Sequence, residues 1–472
     1  MKTNDKTPYL TAQQRADIGR AARKQRPRGD LGDFAPAANR RDPVAILTEQ
    51  ETERVPGLLP LRHQRMAENP FAFLRGAAAV MAGDLGAAPS TGLIVQACGD
   101  AHLANFGVFA APDRGLVFDV NDFDETNPAP FEWDVMRLAA SFVVAAEASG
   151  LRQKQIQVLP RTVARSYREM MAKLSQLTQI DEWYFRIDTT TLSRWARQLD
   201  SRDGAQTVRQ SEQAAMARSG WSAVRKLTVE VDGRRKFRDQ PPLLVSLGEQ
   251  APETEVLDHV FDSYLSTLLV DRAGLLGRYE LVDLGHKVVG VGSVGLLSIV
   301  ALLQGRTPDD LLVLQFKQAV ESVLEPYTEP SKWPTHGRRV VAGQRLMQAA
   351  TDAFLGWAEG PLGRSYYVRQ LRDMKWSPDV ATMKPRGLVA YAGICGAALA
   401  RAHARSGDSI ALAAYMGSSQ SFDEAIQRYA LAYAKQNAED YAAYSSAISS
   451  GQVEVPGDRN RAGSVEEGGH DE

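Results

Sequence analysis

Residues 98–107 read CGDAHLANFG and residues 121–125 read NDFDE, and these two stretches decide which folds the chain can adopt. Each follows an apolar run, TGLIVQA before the first and GLVFDV before the second, which predicts a short strand. Short polar side chains at strand ends are typical of ordinary turns. The same side chains would also suit a catalytic loop and a metal-binding strand end.

The residue types in these stretches are those that phosphoryl transfer requires. That chemistry uses a carboxylate near the acceptor hydroxyl, an Asn and an Asp on Mg²⁺, and a Lys on the phosphates. The first stretch supplies Asp100 and Asn105, and the second supplies Asp122 with Asp124 close by. Hard oxygen ligands of this kind suit Mg²⁺, which binds few protein carboxylates. Each stretch alone is more often a turn or a cap than a site.

The combination resembles a motif set of the protein-kinase-like fold. In its aminoglycoside phosphotransferase and choline kinase branch, a GDxHxxN loop precedes a strand that ends in DF(E/D). An Asp and an Arg follow that strand-end aspartate by twelve and fifteen residues. Counted from Asp122, these positions are Asp134 and Arg137 in this chain, so the resemblance covers residues 98–138 in order and spacing.

The resemblance implies a role for each residue of the two stretches. Asp100 would be the catalytic base, and His102 would orient the catalytic loop. Asp134 would brace that loop. The implied metal ligands are Asn105, Asp122 and Asp124.

A glycine motif lies far downstream, where GVGSVG contributes Gly290, Gly292 and Gly295. Without Cβ atoms, its backbone can approach phosphates closely. A Rossmann fingerprint would need a helix directly after the third glycine. The apolar, β-branched LLSIVALLQG predicts a strand instead, which favours a kinase-type glycine loop.

A candidate nucleotide-binding lysine follows the glycine motif. LLVLQFKQAVESVLE predicts a strand that ends at Lys317 and then a helix carrying Glu321 and Glu325. This order resembles the kinase glycine loop, strand lysine and paired helix glutamate. Either glutamate would pair with Lys317, and the predicted nucleotide is ATP.

The order of these parts predicts a rearranged chain. A kinase-like fold has its nucleotide lobe before the catalytic loop, whereas here the glycine motif comes after it. We therefore predict an α+β, protein-kinase-like two-lobe fold that is circularly permuted, which close termini permit. Two segments, 73–85 and 398–407, compete for the helix that precedes the catalytic loop. The predicted units are a surface arm (1–45), a helical lobe with the catalytic loop and metal-binding strand (46–280), a small β-rich nucleotide-binding lobe (281–375), helices returning to the large lobe (376–450) and a disordered tail (451–472).

Composition narrows the class of protein. Of 472 residues, 44% are hydrophobic and 24% are charged, with a net charge of −2, which is ordinary globular usage. Such a balance favours neither nucleic acid nor membrane as a partner. Cys98 and Cys395 are too few for a disulfide framework, and no secretory signal is visible, so we expect a cytoplasmic protein.

Segments spread over residues 60–440 are similar to the bacterial family catalogued as domain of unknown function 2252. They are RHQRMAENPFAFLRGAA, CGDAHLANFG, NDFDETNPAPFEWDVMRLAAS, KVVGVGSVG, VRQLRDMK and ALARAHARSGD. This resemblance implies a fold but no substrate. A metallophosphoesterase is excluded, because none of the seven histidines follows an Asn to give the Asn-His pair of its dinuclear centre.

The expected function is transfer of a phosphoryl group from ATP, with Mg²⁺, to a hydroxyl of an unknown small molecule or protein. Two alternatives stay open: a nucleotide-binding pseudokinase, and a nucleotidyl (AMP) transferase on the same fold. Arg62, Arg65 and Arg75 either line the site and bind phosphate or an acidic substrate, or pair with the acidic loop.

Overall fold

The computed structural model describes residues 9–198, 220–231, 234–248, 254–288, 290–292, 294–371, 377–378 and 380–456. They form an α+β fold, as predicted. The α-helices, in chain order, are α1 (Ala12–Gln25), α2 (Pro43–Glu49), α3 (Leu59–Met66), α4 (Pro70–Gly76), α5 (Ala78–Gly86), α6 (Phe131–Ala148), α7 (Gln153–Ile156), α8 (Val158–Leu174), α9 (Gln179–Tyr184), α10 (Thr189–Gln198), α11 (Gly220–Leu227), α12 (Thr254–Leu265), α13 (Val270–Leu276), α14 (His336–Met347), α15 (Pro385–Ala404), α16 (Ser409–Met416) and α17 (Ser421–Ser449). The strands are β1 (Ile94–Ala97), β2 (Phe106–Ala110), β3 (Leu116–Val120), β4 (Asn127–Pro130), β5 (Thr228–Val231), β6 (Arg234–Phe237), β7 (Leu244–Ser246), β8 (Glu280–Lys287), β9 (Ser298–Gln304), β10 (Leu311–Ala319), β11 (Gly356–Glu359) and β12 (Ser365–Gln370).

A buried helix, α6, lies at the centre of the helical part. Every residue from Phe131 to Ala146 is buried, because FEWDVMRLAASFVVAA is apolar on most of its circumference. Helices α4, α8 and α17 pack around it. Helix α15 lies along α8 at Gly396, where a Cβ would come within 2.4 Å of the Val163 carbonyl oxygen. Glycine is therefore needed at this crossing.

Two short antiparallel strand pairs carry the polar stretches. β1 pairs with β4, and β2 pairs with β3. Residues 98–105 connect β1 to β2, and residues 121–126 connect β3 to β4. The backbone N–H of Asn121 donates to the carbonyl of Asn105 at 2.8 Å, which extends the β2–β3 ladder by one step. The two motifs that the sequence separates therefore lie side by side.

A larger antiparallel sheet carries the glycine motif. Among the described residues its strand order is β11-β12-β10-β9-β8-β7. The glycine motif lies in the connection between β8 and β9, which we call the glycine hairpin (the described residues of 288–297). Lys317 lies on the central strand β10, opposite Ser298 of β9 and Tyr367 of β12. Helix α14 packs on β10–β12 and also contacts β1 and α15, so it joins the sheet to the helical part.

The helix predicted directly after Lys317 is wrong. β10 continues to Ala319, and a three-residue 3₁₀ turn, Glu325–Tyr327, follows it. Three prolines lie between Leu324 and Thr335, and each removes a backbone donor and restricts the residue before it. A helix begins only after the last of them, where the Thr335 side chain caps α14.

The segment predicted as a surface arm contains helix α1, which packs on α16. Arg23 and Arg28 donate hydrogen bonds to the carbonyls of Tyr415 and Met416, at 2.7 and 2.5 Å. These carbonyls end α16, where unpaired acceptors and the helix dipole favour cations. The segment 73–85, predicted as one helix, is divided at Ala77 between α4 and α5.

Most of the predicted tail, from residue 457 onward, falls outside the described ranges. None of the helices in the described ranges combines the length and the hydropathy that crossing a bilayer requires.

Candidate functional site

A cavity of about 180 Å³ lies between the two polar connections and the glycine hairpin. The structure thus brings together parts that lie almost two hundred residues apart in the sequence. Of the residues singled out from the sequence, the wall contains Asp100, His102, Asn105, Asp122, Asp124, Gly290, Gly292 and Glu321. Gly295 and Lys317 are next to this wall and contact residues that form it.

The connection 98–105 is held by buried side chains of α6. The Asp134 carboxylate accepts hydrogen bonds from the backbone N–H groups of Cys98 and Gly99, at 2.7 and 3.0 Å. Its Oδ2 also lies 3.1 Å from Nε2 of His403 on α15. The prediction that Asp134 braces the loop is therefore confirmed.

Gly99 has the backbone conformation that this connection needs. Its φ of +80° lies in the left-handed region, and a Cβ there would come within 2.3 Å of the Glu125 carbonyl oxygen. A side chain would therefore be strained and would also separate the two connections. This glycine fixes how closely they approach.

Asp100 is paired with a cation from α6. Nε of Arg137 donates to its Oδ1 at 2.6 Å, and Arg137 also donates to the Leu74 carbonyl at 2.9 Å. Burial raises the pKa of Asp100, and the Arg137 charge limits that rise. A raised pKa makes the ionised carboxylate a stronger base than that of an exposed aspartate.

His102 lies in the cavity wall, and its ring is hydrogen-bonded within the loop. Its Nδ1 accepts a hydrogen bond from the backbone N–H of Ala104 at 3.2 Å, and its Nε2 lies 3.7 Å from Oδ2 of Asp100. Burial, together with the charges of Arg75 and Arg137, lowers the pKa of His102 well below its usual value. A neutral ring fixed at Nδ1 orients the turn, which agrees with the role that the resemblance implied.

Asn105 and Asp122 are the oxygen donors best placed for a cation. The Asn105 amide donates from Nδ2 to the Asp100 carbonyl at 2.9 Å, which leaves Oδ1 as its acceptor. Burial and the neighbouring Asp124 raise the pKa of Asp122, and the charges of Lys317 and Arg369 limit that rise. Within the described ranges, no three His, Cys, Asp or Glu side chains are gathered as a metal site. One carboxylate and one amide oxygen still fit Mg²⁺, which takes the rest of its shell from water and phosphate.

Both carboxylate oxygens of Asp124 are bonded to side chains of the large sheet. Its Oδ2 forms an ion pair with Nζ of Lys317, and its Oδ1 accepts a hydrogen bond from the Tyr367 hydroxyl at 2.8 Å. Burial acts to raise the pKa of Asp124, but the Lys317 ammonium outweighs it and the pKa is lowered. The predicted pairing of Lys317 with Glu321 or Glu325 is therefore wrong, since Asp124 is its partner.

The glycine hairpin packs on residues 55–75, which precede the connection 98–105. A Cβ on Gly292 would lie 3.0 Å from the Arg75 carbonyl oxygen, and Arg65 donates to the Gly290 carbonyl at 2.6 Å. Gly295 has a φ of +96°, and its carbonyl accepts a hydrogen bond from Val55 N–H at 2.8 Å. The positive φ explains the third glycine of the motif.

Two arginines and one glutamate at the site were missed in the sequence. Arg54 and Glu125 are in the cavity wall, and burial raises the pKa of Glu125 to about 7. Arg339 of α14 is buried and donates to the carbonyls of Asp124, Thr126 and Val320, at 2.8, 2.6 and 2.8 Å. Glu125 lies within the quoted motif, but no local pattern distinguishes the two arginines from surface cations.

The three arginines left open in the sequence take different positions. Arg75 is in the cavity wall. Arg65 contacts the glycine hairpin backbone, and Arg62 is buried and donates to the Gly76 carbonyl at 3.2 Å. Arg75 is thus the one that lines the cavity.

Comparison with known proteins gives a family. No curated protein and no solved structure matches the chain. Residues 54–447, which include every residue of the cavity wall except Gln50 and Glu53, match the family model described as "Uncharacterized protein conserved in bacteria (DUF2252)". The chain therefore belongs to this bacterial family.

Proposed function

We propose that the protein is a kinase-like phosphotransferase that moves a phosphoryl group from ATP, with Mg²⁺, to a hydroxyl of a small molecule or a protein. One observation carries the proposal. The catalytic-loop candidates, the NDFDE turn and the glycine hairpin form the wall of one cavity, although the first and last are separated by nearly two hundred residues. Three unrelated turns would have no reason to meet in this way.

The chemistry of each group fits a step of phosphoryl transfer. Asp100, which is paired with Arg137, would accept the proton of the acceptor hydroxyl. Asp122 and Asn105 would hold Mg²⁺, which supplies charge neutralisation at the phosphates. Lys317 would act mainly by holding Asp124 and thereby the turn that carries Asp122.

The fold proposal is a circularly permuted two-lobe kinase. A hairpin with glycines, a central strand with a buried lysine, a helix and two further strands follow one another as β8, β9, β10, α14, β11 and β12. This order resembles a kinase nucleotide lobe. In this chain it follows the catalytic loop. The buried arginine of α14 contacts the carbonyl of Asp124, so α14 touches the metal turn directly.

The test is a product assay with purified protein, ATP and Mg²⁺, with water as acceptor until a substrate is found. We expect slow release of ADP, and a loss of about 10²–10⁴-fold in rate for Asp100→Asn without loss of nucleotide binding. Asp113→Asn, in the exposed β2–β3 turn, is the matched control and should keep the wild-type rate.

The products separate the three candidate functions. Pyrophosphate and an AMP-modified product would replace this proposal with nucleotidyl transfer. Magnesium-dependent nucleotide binding with neither product would indicate a pseudokinase. An Asp100→Asn variant with the wild-type rate of ADP release would remove the assigned base.

A further inference from the structure

Two arginines in the cavity wall, Arg54 and Arg75, form no ion pair with a carboxylate of the described residues. Arg54 donates from Nη1 to the Val294 carbonyl at 2.5 Å. The Nε atoms of Arg54 and Arg75 are both shielded from solvent, and neither donates to an acceptor among the described residues. Burial lowers the pKa of both groups, that of Arg54 to about 9. Guanidinium donors left in this state are costly for the fold unless something else binds them.

Three other buried arginines of this chain are paired with carboxylates. Arg137 pairs with Asp100, Arg168 pairs with Asp423 at 2.8 Å, and Arg401 pairs with Asp119. Arg62 and Arg339 are buried and also have an Nε that donates to no acceptor in the described part of the chain, but neither lies in the cavity wall. Arg54 and Arg75 combine such an Nε with a place in that wall.

Three carboxylates of the cavity wall are engaged by other groups. Asp100 bonds Arg137, and Asp124 bonds Lys317 and Tyr367. Glu125 accepts a hydrogen bond from the backbone N–H of Val323 at 2.8 Å. Arg54 and Arg75 lie in the wall of the same cavity, which is the space that a ligand would occupy.

The chemistry of the two arginines limits the ligand. A cavity of about 180 Å³ admits a small molecule or the end group of a larger one. Guanidinium groups match the paired oxygens of phosphate in a fixed fork geometry.

We propose that Arg54 and Arg75 form a phosphoryl-binding subsite on the catalytic-loop side of the cavity. The proposal rests on the proposed function, since it assigns the bound group to a substrate of phosphotransfer. That group is either the γ-phosphate of ATP or a phosphate carried by the acceptor. In both cases the arginines come from the segment before the catalytic loop and not from the glycine hairpin.

Calorimetric titration with inorganic pyrophosphate, without Mg²⁺, tests the subsite directly. The wild type should bind it, and Arg54→Met and Arg75→Met should each bind about 10- to 100-fold more weakly, the effect of losing one charge-assisted hydrogen-bonding group. Arg161→Met is the matched control, because the Arg161 side chain is 41% exposed on α8, is not part of the cavity wall and should leave the affinity unchanged. A wild type that does not bind pyrophosphate, or arginine variants with the wild-type affinity, would overturn the subsite.

Nucleotide titrations identify the source of the phosphoryl group. If both variants lose affinity for Mg–ATP but not for Mg–ADP, the subsite holds the γ-phosphate. If both nucleotides bind as in the wild type while pyrophosphate binding is lost, it holds the acceptor. Arg75→Lys covers the case in which Arg75→Met does not fold, because it keeps the charge and loses the fork; an unchanged pyrophosphate affinity in that variant would also overturn the proposal.

The same titrations separate this proposal from the proposed function. Arginine-dependent pyrophosphate binding in a protein that binds no nucleotide would leave the subsite standing and remove phosphotransfer from ATP. Phosphotransfer from ATP at the wild-type rate in both arginine variants would leave the proposed function standing and remove the subsite.

Discussion

Two buried ion pairs hold the NDFDE turn and the strand that precedes it, and they differ in how exposed their aspartates are. Asp119, at the end of β3, pairs with Arg401 of α15, and Asp124 pairs with Lys317 of β10. Both join the turn to a cation that is distant in the sequence. The Asp119 side chain is 2% exposed, however, whereas that of Asp124 is 20% exposed and is part of the cavity wall.

This difference in exposure distinguishes an aspartate that stabilises the fold from one that a ligand can reach. Burial raises the pKa of Asp119 and lowers that of Arg401, so each charge of the deep pair depends on the other. Asp124 keeps the Tyr367 hydroxyl as a second partner and can be reached by water from the cavity. Between them, Asp122 lies in the cavity wall, and its carboxylate accepts a hydrogen bond from the backbone N–H of Asp124 at 3.3 Å. An identical residue type thus has three different roles within six positions.

The largest effect should follow from breaking the deep pair. Arg401→Met would leave Asp119 buried and uncompensated, which we expect to lower the free energy of unfolding by about 3–5 kcal/mol. Denaturant unfolding measures this change. The double variant Asp119→Asn/Arg401→Met should recover part of the loss, because it removes the isolated charge. A loss below about 1 kcal/mol in the single variant would contradict the structural role of the pair.

Breaking the Lys317–Asp124 pair should lower the free energy of unfolding less than breaking the deep pair, and it should also weaken nucleotide binding. Lys317→Met should lower the free energy of unfolding by about 1–3 kcal/mol, because Asp124 retains Tyr367 and partial hydration. Nucleotide binding should weaken at the same time, since Lys317 holds Asp124 and thereby positions the NDFDE turn. Tyr367→Phe is the milder control, at about 0.5–1.5 kcal/mol. If Lys317→Met is as destabilising as Arg401→Met, the two pairs are equivalent and the comparison fails.

The parts of this site that could be predicted from the sequence are those with a local pattern. Asp100 and Asn105 share one turn, and Asp134 follows Asp122 at a fixed spacing, so their neighbourhood is encoded within forty residues. The strands on either side of the glycine motif also follow from their apolar, β-branched composition. An α+β fold was accessible on the same grounds.

The prediction for Lys317 failed because its partner is set by the fold. The helix expected to carry Glu321 and Glu325 depends on helical spacing, which the prolines before Thr335 interrupt. The actual partner, Asp124, lies 193 residues earlier. Arg54 and Arg339 also donate hydrogen bonds to backbone carbonyls that are distant in the sequence. Every residue has a backbone carbonyl, so no residue type in the sequence indicates such an acceptor.

A smaller effect of pH should appear at Glu132 of α6, which is remote from the cavity. Burial raises the pKa of Glu132 above its ordinary value of 4.5. The folded state then binds this proton more tightly than the unfolded state does, so the free energy of unfolding should fall as pH rises from the ordinary pKa through the raised one, by at most about 1.4 kcal/mol per pH unit.

Glu132→Gln isolates that contribution. Its amide can still accept from the Thr91 N–H, which now bonds the Glu132 carboxylate at 2.7 Å. Denaturant unfolding between about pH 5 and about pH 8 should show the wild type losing stability relative to the variant. Parallel pH profiles for the two proteins would show that Glu132 titrates alike in both states.

The central claim, that the NDFDE turn binds Mg²⁺ together with a nucleotide, is tested most directly by ligand-dependent unfolding of the wild type and Asp122→Asn. With ATP at about 100-fold above its Kd, the wild type should be stabilised by about 2–3 kcal/mol when Mg²⁺ is present and by much less without it. Asp122→Asn should lose this magnesium-dependent increment, and Asp113→Asn should keep it. Equal stabilisation of all three proteins, or no stabilisation of the wild type by ATP with Mg²⁺, would contradict the account.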